Sequence, residues 1–334
     1  MYRTHHGSEP EPIGFLLVPK FSAMAFFSAI EPLRVANRLA GRRLFAWHVL
    51  SVDGESVAAS SGMRVMADGG LDQARGLPTL IVCASFDPEE AVTRKLLAAL
   101  RALARQGATL GALDTGAHIL ARAGLIRDVP VTMHWEAVPG FREQFPEIRV
   151  SDELFEVHPG LLTCAGGTAS LDMMLDMIGH KHGAELAVAV SEQLIHDRIR
   201  SSHDHQRMAL PTRLQVTNAK VVAVVAAMEA NLEQPLAASA LARRAGITTR
   251  QMERLFRSLL GTSPALFYRG LRLDRARQLL RQTDLGLMEV ALASGFSSAS
   301  ALSRRYSGHF GVAPSADRRD PATTPSARHV GAQP

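Results

Sequence analysis

The sequence predicts two domains of different fold class: an α/β domain built on a largely parallel sheet, and an all-α domain with two helix-turn-helix motifs. In the first 200 residues, short segments that are apolar throughout alternate with helical segments. In the last third, one helical pattern with a central glycine occurs twice. The length of 334 residues also exceeds what one hydrophobic core usually accommodates.

Five apolar segments bounded by Gly, Pro, Ser or Asp are predicted as strands of the first domain. They are Ile13–Pro19, Phe45–Val52, Thr79–Ser85, Ala108–Asp114 and Leu161–Gly166. Because they show no polar alternation, both of their faces must be buried, and helices are expected on each side of the sheet. A long helix over 183–200 is predicted to close the domain.

The segment "GATLGALDTGAHILARAGLI" predicts a strand, a tight turn at Asp114 and a helix. This is the shape of a nucleophile elbow, in which a strained turn holds a reactive side chain above a parallel sheet. Ligands of such sheets bind beyond the carboxyl ends of the strands, so a pocket is expected near Asp114. The turn carries no serine or cysteine, and neither Cys83 nor Cys164 lies at a strand-to-helix turn.

The repeat covers Leu241–Pro264 and Val290–Pro314. Each copy has a short apolar helix, a glycine turn, a Thr or Ser cap, and a second helix placed to enter a major groove. The helix between the copies, "ALFYRGLRLDRARQLLRQ", can pack on both of them. Two recognition helices on one connector could read groove segments about one helical turn, roughly 34 Å, apart.

Candidate DNA-contacting residues are the exposed positions of the two second helices. Arg250 can bond a guanine and Gln251 an adenine through two hydrogen bonds each, whereas the short side chains of the second copy are expected to position more than to specify. The predicted set is Thr249, Arg250, Gln251, Arg254, Arg257, Ser298, Ser300, Ser303 and Arg304.

Charge separates the two domains. Residues 216–319 contain fifteen Lys and Arg against seven Asp and Glu, a balance of +8, whereas the whole chain has a net charge of +5. The remainder is therefore −3, which is the asymmetry that a separate nucleic-acid-binding module produces. A basic face that is merely solvated is the alternative interpretation of charge alone.

Composition excludes several other classes. Apolar residues make up 46% of the chain, which excludes general disorder, and no apolar run is long enough to span a bilayer. The first 20 residues lack a secretory pattern, and the two cysteines lie in apolar runs, so we expect a cytoplasmic protein without membrane contact. Neither a metal site nor a cofactor is expected, because His203 and His205 form a pair without further ligands.

The residues carry a resemblance to a known family. The region 216–319, with its "GFSSASALSRRYSGHFGVAP" segment, resembles the DNA-binding domain of AraC/XylS family transcriptional regulators. Residues 13 to about 196 resemble the PfpI-like domain, of flavodoxin-like and class I glutamine amidotransferase-like fold, that one branch of the family carries as a sensor. The segments "TMHWE", "DHQRMALPTRLQVTN" and "MEANLEQPL" are similar to the GbdR/CdhR/ArgR group, regulators of glycine betaine, carnitine and arginine catabolism.

The resemblance implies domain boundaries and a mode of action. The predicted organisation is a disordered N-terminus (1–12), a ligand-sensing domain (13–200), a linker (201–215), a DNA-binding domain (216–319) and a disordered tail (320–334). The implied protein is a homodimeric regulator of promoter DNA, in most members an activator that contacts RNA polymerase, with a small-molecule effector. We expect no enzymatic activity, since enzymes of the superfamily carry a cysteine where this chain has Asp114.

The sensor interpretation predicts a small zwitterion, such as glycine betaine, dimethylglycine, carnitine or arginine, with Asp114 near its positive end. Backbone N–H groups near Gly116 could hold its anionic end, and Phe86 with Trp135 could form part of an aromatic cage. The predicted pocket residues are Glu31, Phe86, Asp114, Thr115, Gly116, His134 and Trp135. Two alternative functions remain: a DNA-tethered hydrolase or amidotransferase that uses the Asp114 elbow, and a structural nucleoid protein. The alternative for Trp135 is that it packs in the core.

Overall fold

The computed structural model describes Tyr2 and residues 10–319, so the tail predicted over 320–334 and most of the N-terminus predicted to be disordered lie outside the described residues. The chain forms two compact units that divide between Gln206 and Arg207. Strand β1 already begins at Glu11, inside the segment predicted as disordered, because the backbone N–H of Glu11 donates to Leu44 and its carboxylate pairs with Lys181.

The first unit contains eight strands. They are β1 (Glu11–Leu17), β2 (Phe45–Leu50), β3 (Val57–Ala58), β4 (Arg64–Val65), β5 (Thr79–Cys83), β6 (Thr109–Leu113), β7 (Phe155–His158) and β8 (Leu161–Cys164). Six of them form one sheet of order β2-β1-β5-β6-β8-β7, parallel except for the edge strand β7, and β3 pairs with β4. The predicted α/β class with a largely parallel sheet is confirmed, and all five predicted strands lie in this sheet.

Six helices cover the sheet. They are α1 (Ala23–Leu39), α2 (Arg94–Arg105), α3 (Gly116–Arg122), α4 (Val138–Gln144), α5 (Ala169–His182) and α6 (Ala184–Gln193). Alternate side chains of β1 enter two separate cores, with Phe15 against α1, α5 and α6, and Leu16 against α2, α3 and α4. The sheet is therefore the middle of three layers, and its strand ends are the places where the chain is free to build a site.

The helix predicted over 183–200 is wrong in its second half. Helix α6 ends at Gln193, and Ile195 adopts a left-handed conformation with φ 55°. The residues that follow are drawn away from the helix axis because His196 and Arg200 both bind the carboxylate of Asp172, which is fully buried on α5. Buried charges are retained only where they are paired, so this long-range contact determines the path of the chain.

The segment predicted as a linker, 201–215, is divided between the two units. Its first half lies against the first unit, where Leu154 donates its backbone N–H to the carbonyl of Ser202. Its second half contains helix α7 (Leu210–Leu214), which packs on the first core of the second unit and pairs Arg213 with Glu229.

In the part of the second unit that the structure describes, seven further helices surround two cores. They are α8 (Ala219–Glu229), α9 (Ala238–Arg244), α10 (Thr249–Leu260), α11 (Pro264–Gln282), α12 (Leu287–Ala293), α13 (Ala299–Phe310) and α14 (Pro314–Arg319). The 19-residue helix α11, about 28 Å long, contributes Tyr268 to the first core and Leu273, Leu279 and Leu280 to the second. The predicted connector between two helix-turn-helix units is therefore one rigid element.

Candidate functional site

The turn at Asp114 has the strained geometry of a nucleophile elbow. Asp114 lies between β6 and α3 with φ 60°, a left-handed conformation that few residues other than glycine adopt. Its backbone N–H donates to the carbonyl of Cys164 at 3.0 Å, and its carbonyl accepts from the N–H of His134 at 3.3 Å. Two neighbouring segments therefore hold the backbone of the strained residue in place.

Two glycines allow this turn to be so compact. A Cβ atom on Gly116 would lie 2.5 Å from the carbonyl oxygen of Val82, and one on Gly166 would lie 2.8 Å from the Cβ of Asp114. The hydroxyl of Thr115 donates to the carbonyl of Ser85 at 2.5 Å. The elbow is therefore confined between the ends of β5 and β8, and no larger side chain fits at either glycine.

The carboxyl group of Asp114 is buried, with 7% of the residue exposed. Loss of solvation raises its pKa to about 7, and the nearby charge of Glu136 acts in the same direction. Hydrogen bonds from the side chain of Ser85 and the backbone N–H of Thr115 favour the ionised form but do not offset the burial. The group therefore changes charge near neutral pH and would be ionised most readily beside a cation.

Replacement of Asp114 by Asn is expected to stabilise the sensor unit at pH 8 and to have little effect at pH 4. The native pKa of about 7 lies above the unfolded value of 3.8, so the native state binds the additional proton between these values and loses stability as pH rises through them. About 2–4 kcal/mol of unfolding free energy should be recovered at pH 8. Urea unfolding followed by tryptophan fluorescence measures this; an equal gain at both pH values would contradict it.

Three predicted pocket residues, Phe86, His134 and Trp135, form a rim beside the elbow. Phe86 follows Ser85 at the end of β5 and is 54% exposed, and Trp135 is 36% exposed. The exposure of Trp135 argues against its interpretation as a core residue. Trp135 packs on the ring of His134 with the centroids 5.6 Å apart, and no ring contact between Phe86 and Trp135 is found among the described residues.

Glu31 does not belong to this group. It lies nine residues beyond Ser22, the cap of α1, which is about 13 Å along the helix and away from the strand ends. Its carboxylate accepts hydrogen bonds from Arg34 at 2.6 and 2.8 Å. Glu31 is thus paired with Arg34 on its own helix, and its role as an acid facing the elbow stays a prediction.

Three residues that the structure brings to the elbow were not predicted from the sequence: Ser85, Glu136 and Gly166. Ser85 and Gly166 each follow a strand, so the rule that located Asp114 could have found them. No local sequence pattern indicates that Glu136 raises the pKa of Asp114, because this effect depends on how the segment after α3 folds back.

The second unit presents a basic helix face. Arg250, Arg254 and Arg257 on α10 are exposed, whereas Met252 and Phe256 of the same helix are buried. The spacing of these arginines places them on one side of the helix. An exposed row of guanidinium groups on the second helix of a helix-turn-helix motif is suited to binding in a DNA groove.

Two residues of the predicted DNA-contacting set, Gln251 and Ser298, take part in helix caps. The Oε1 atom of Gln251 accepts from the backbone N–H of Thr248 at 2.9 Å, so a two-bond contact with adenine would require this capping box to open. Ser298 caps α13 through its hydroxyl, which accepts from the N–H of Ala301 at 3.1 Å. The structure therefore shows a capping contact for each of these side chains, and their contact with DNA stays a prediction.

The two copies differ in their turns. The cap Thr248 follows Gly246 by two residues, and the cap Ser298 follows Gly295 by three, so the second turn is one residue longer. On α13, Ser300 and Arg304 are exposed and Ser303 is half-buried, whereas Thr249 on α10 is exposed. The second helix therefore offers one exposed arginine of the predicted set, where the first offers three.

Comparison with known proteins supports the prediction of a helix-turn-helix regulator. A family model described as a helix-turn-helix domain matches residues 241–320. The transcriptional regulator CdhR of Pseudomonas aeruginosa is 51% identical over 322 residues, which cover 95% of this chain and 96% of CdhR. The chain belongs to the AraC family of transcriptional regulators. The regulator GbdR of the same species is 44% identical over 93% of this chain and 84% of its own length.

Solved structures agree with the AraC assignment. An AraC family transcriptional regulator from Pseudomonas putida has a TM-score of 0.51 at 28% identity, over 55% of this chain and all of that chain. A ThiJ/PfpI family protein from Pseudomonas syringae has a TM-score of 0.50 at 18% identity, over 69% of this chain and 93% of that chain, a likeness that shows the fold. These relatives confirm the predicted family and domain types, and CdhR and GbdR are named as regulators rather than enzymes, as we expected.

No helix in the described part of the chain is long and apolar enough to cross a membrane. The described residues also contain no group of three or more His, Cys, Asp or Glu side chains that could hold a metal ion.

Proposed function

We propose that this AraC family regulator binds a small zwitterionic metabolite at the Asp114 elbow and contacts promoter DNA through α10 and α13. The first unit acts as the sensor and the second as the DNA-binding domain. The observation that carries the sensor proposal is a buried carboxyl group with a pKa near 7 beside two exposed aromatic rings. A cationic ligand would stabilise the ionised carboxylate, and the rings would attract a methylated ammonium group.

The chemistry of the elbow supports binding over catalysis. Burial raises the pKa of the Cys83 thiol and raises that of Cys164 to about 12, so neither forms a thiolate at neutral pH. The resemblance to the GbdR/CdhR/ArgR group points to glycine betaine, dimethylglycine, carnitine or arginine as candidate effectors. We further propose a homodimer that activates transcription through contact with RNA polymerase.

Effector binding is tested by a thermal-shift panel with these four compounds. A ligand at about one hundred times its dissociation constant should stabilise the sensor unit by roughly 2.7 kcal/mol. The shift should disappear in Asp114→Asn and weaken in Trp135→Ala. Met66→Ala is the control, since it removes an apolar side chain that is 83% exposed and does not belong to the predicted pocket residues.

The outcomes of this panel are distinct. A shift with the methylated compounds supports the aromatic rim, and a shift with arginine alone retains the sensor and discards the rim. A shift that persists in Asp114→Asn would place the effector elsewhere. An activity with any amide or ester substrate that Asp114→Asn abolishes would favour the DNA-tethered enzyme.

Arg250→Ala should weaken binding to the cognate promoter by about 1–3 kcal/mol and relax base preference at one position. Arg250 is exposed near the start of α10, where side chains of a recognition helix meet base edges. Titration of promoter and unrelated duplexes by fluorescence anisotropy measures both effects.

Arg257→Ala is the matched control for Arg250, because it removes an equal charge from the last turn of the same helix. We expect it to reduce binding to all duplexes alike and to decrease the salt dependence. An equal loss on both duplexes with Arg250→Ala would reassign Arg250 to phosphate contact. Binding without sequence preference in the unmodified protein would favour a nucleoid protein.

A further inference from the structure

Two side-chain anchors of different strength hold the segment that leaves the sensor unit, in addition to the backbone bond from Leu154 to Ser202 and the pairing of His203 with Glu153. The first is Asp172, whose buried carboxylate accepts from His196 at 2.9 Å and from three groups of Arg200, its backbone N–H, Nε and Nη2, at 2.6–2.9 Å. Hydrogen bonds to charged groups are about twice as strong as neutral ones. This anchor therefore fixes the start of the segment.

The second anchor is the side chain of Gln206, the last residue of the sensor unit. Its Nε2 atom lies 3.0 Å from each of three acceptors: the hydroxyl of Thr132 and the carbonyl oxygens of Met133 and Glu153. Its Oε1 atom is buried and has no hydrogen-bond partner. An unpaired buried acceptor costs about 1–3 kcal/mol, so this neutral anchor is the weaker of the two.

The weak anchor is connected to the elbow by a short path. Gln206 binds the carbonyl of Met133, and the next residue, His134, donates its backbone N–H to the carbonyl of Asp114. Trp135 follows and packs on the His134 ring. A movement of the His134–Trp135 rim would therefore act directly on an acceptor of Gln206.

We propose that Gln206 is a positioning residue that latches the exit segment, Ser202–Gln206, onto Thr132–Met133 and so couples the Asp114 site to the chain that enters the DNA-binding unit. Displacement at the rim weakens the contact with Met133, and the latch opens while the Asp172 anchor holds. Residues 202–206 then detach from the sensor unit, and the flexible connection to the DNA-binding unit becomes longer. This coupling rests on the proposed sensor function of the elbow.

The backbone N–H of Leu154 provides the readout, because it donates to the carbonyl of Ser202 at 2.8 Å. Its hydrogen exchange in the full-length protein reports opening of the exit segment, and no effector is needed. Gln206→Ala should raise its exchange rate about tenfold. The control is His203→Ala on the same segment, where an 82% exposed side chain binds Glu153; less than a twofold change is expected.

Coupling is tested by a double-mutant cycle. Trp135→Ala should raise the Leu154 exchange rate at least threefold when Gln206 is present, and should add nothing in the Gln206→Ala background. A merely structural Gln206 would give multiplicative effects, and that result would overturn the proposal. So would a Gln206→Ala variant that exchanges at the rate of His203→Ala.

Failure of this inference is distinguishable from failure of the proposed function. If the two substitutions act independently while a candidate effector still shifts the melting temperature, the sensor stands without this latch. If the cycle shows coupling but none of the four compounds produces a shift, the latch stands and those effectors are discarded.

Discussion

Gly295→Ala is expected to destabilise the DNA-binding unit by about 3–5 kcal/mol and to abolish promoter binding. Gly295 adopts φ 73°, where any other residue is strained, and an added Cβ would lie 2.4 Å from the carbonyl oxygen of Leu232 and 2.7 Å from the ring of Pro235. A left-handed non-glycine residue costs about 1–3 kcal/mol, and overpacking adds a similar amount. The turn of the second motif packs against the loop between α8 and α9, where Leu232 borders the first core, so the packing between the two cores should be disturbed.

The repeat supplies the matched control for Gly295. Gly246 has the same role in the first motif, with φ 65°, but the nearest atom to an added Cβ is the flexible Nζ of Lys220 at 3.5 Å. Gly246→Ala should therefore cost only about 1 kcal/mol. Thermal unfolding by circular dichroism and hydrogen exchange of 287–310 measure the difference; equal losses in both variants would show that the contact with Leu232 is not tight.

Asp172→Ala is expected to destabilise the sensor unit by about 3–5 kcal/mol. The substitution leaves Arg200 and His196 without their buried partner, and removal of one member of a buried ion pair costs more than the pair itself contributes. The segment after α6 should detach from α5 as a result.

Asp176→Ala, one turn further along α5, is the control for Asp172. Its side chain is 32% exposed and interacts with Tyr2 and His180, so a loss below about 1 kcal/mol is expected. Both tryptophans, Trp47 and Trp135, lie in the sensor unit, so their fluorescence in a urea titration follows this unit alone. Similar midpoints for the two variants would contradict the proposed anchor.

The sequence predicted the central strands well because burial on both faces leaves wholly apolar segments. The edge strand β7 was missed, since its residues are mostly half-buried and antiparallel to β8. The end of α6 was also missed, because the contacts of His196 and Arg200 with Asp172 join residues 24 and 28 positions apart. Local patterns carry no information about such pairs.

The candidate sites show the same limit. Asp114 was identifiable because a strand, a turn and a helix are consecutive in sequence, and its φ of 60° agrees with that shape. Gln251 has the chemistry to read adenine, but its cap bond with Thr248 is visible only in three dimensions.

The way helix α11 joins the two motifs has a consequence for promoters. The hydroxyl of Tyr268 on α11 donates to the carbonyl of Asn231 in the loop before the first motif, and Arg272 donates to the carbonyls of Ser294 and Gly295 in the second motif. The two recognition helices, α10 and α13, therefore keep a fixed separation. Insertion of about five base pairs between the two contacted segments rotates one of them by half a turn to the opposite side of the duplex. Such a promoter keeps every contacted base and still presents only one of the two segments to the protein.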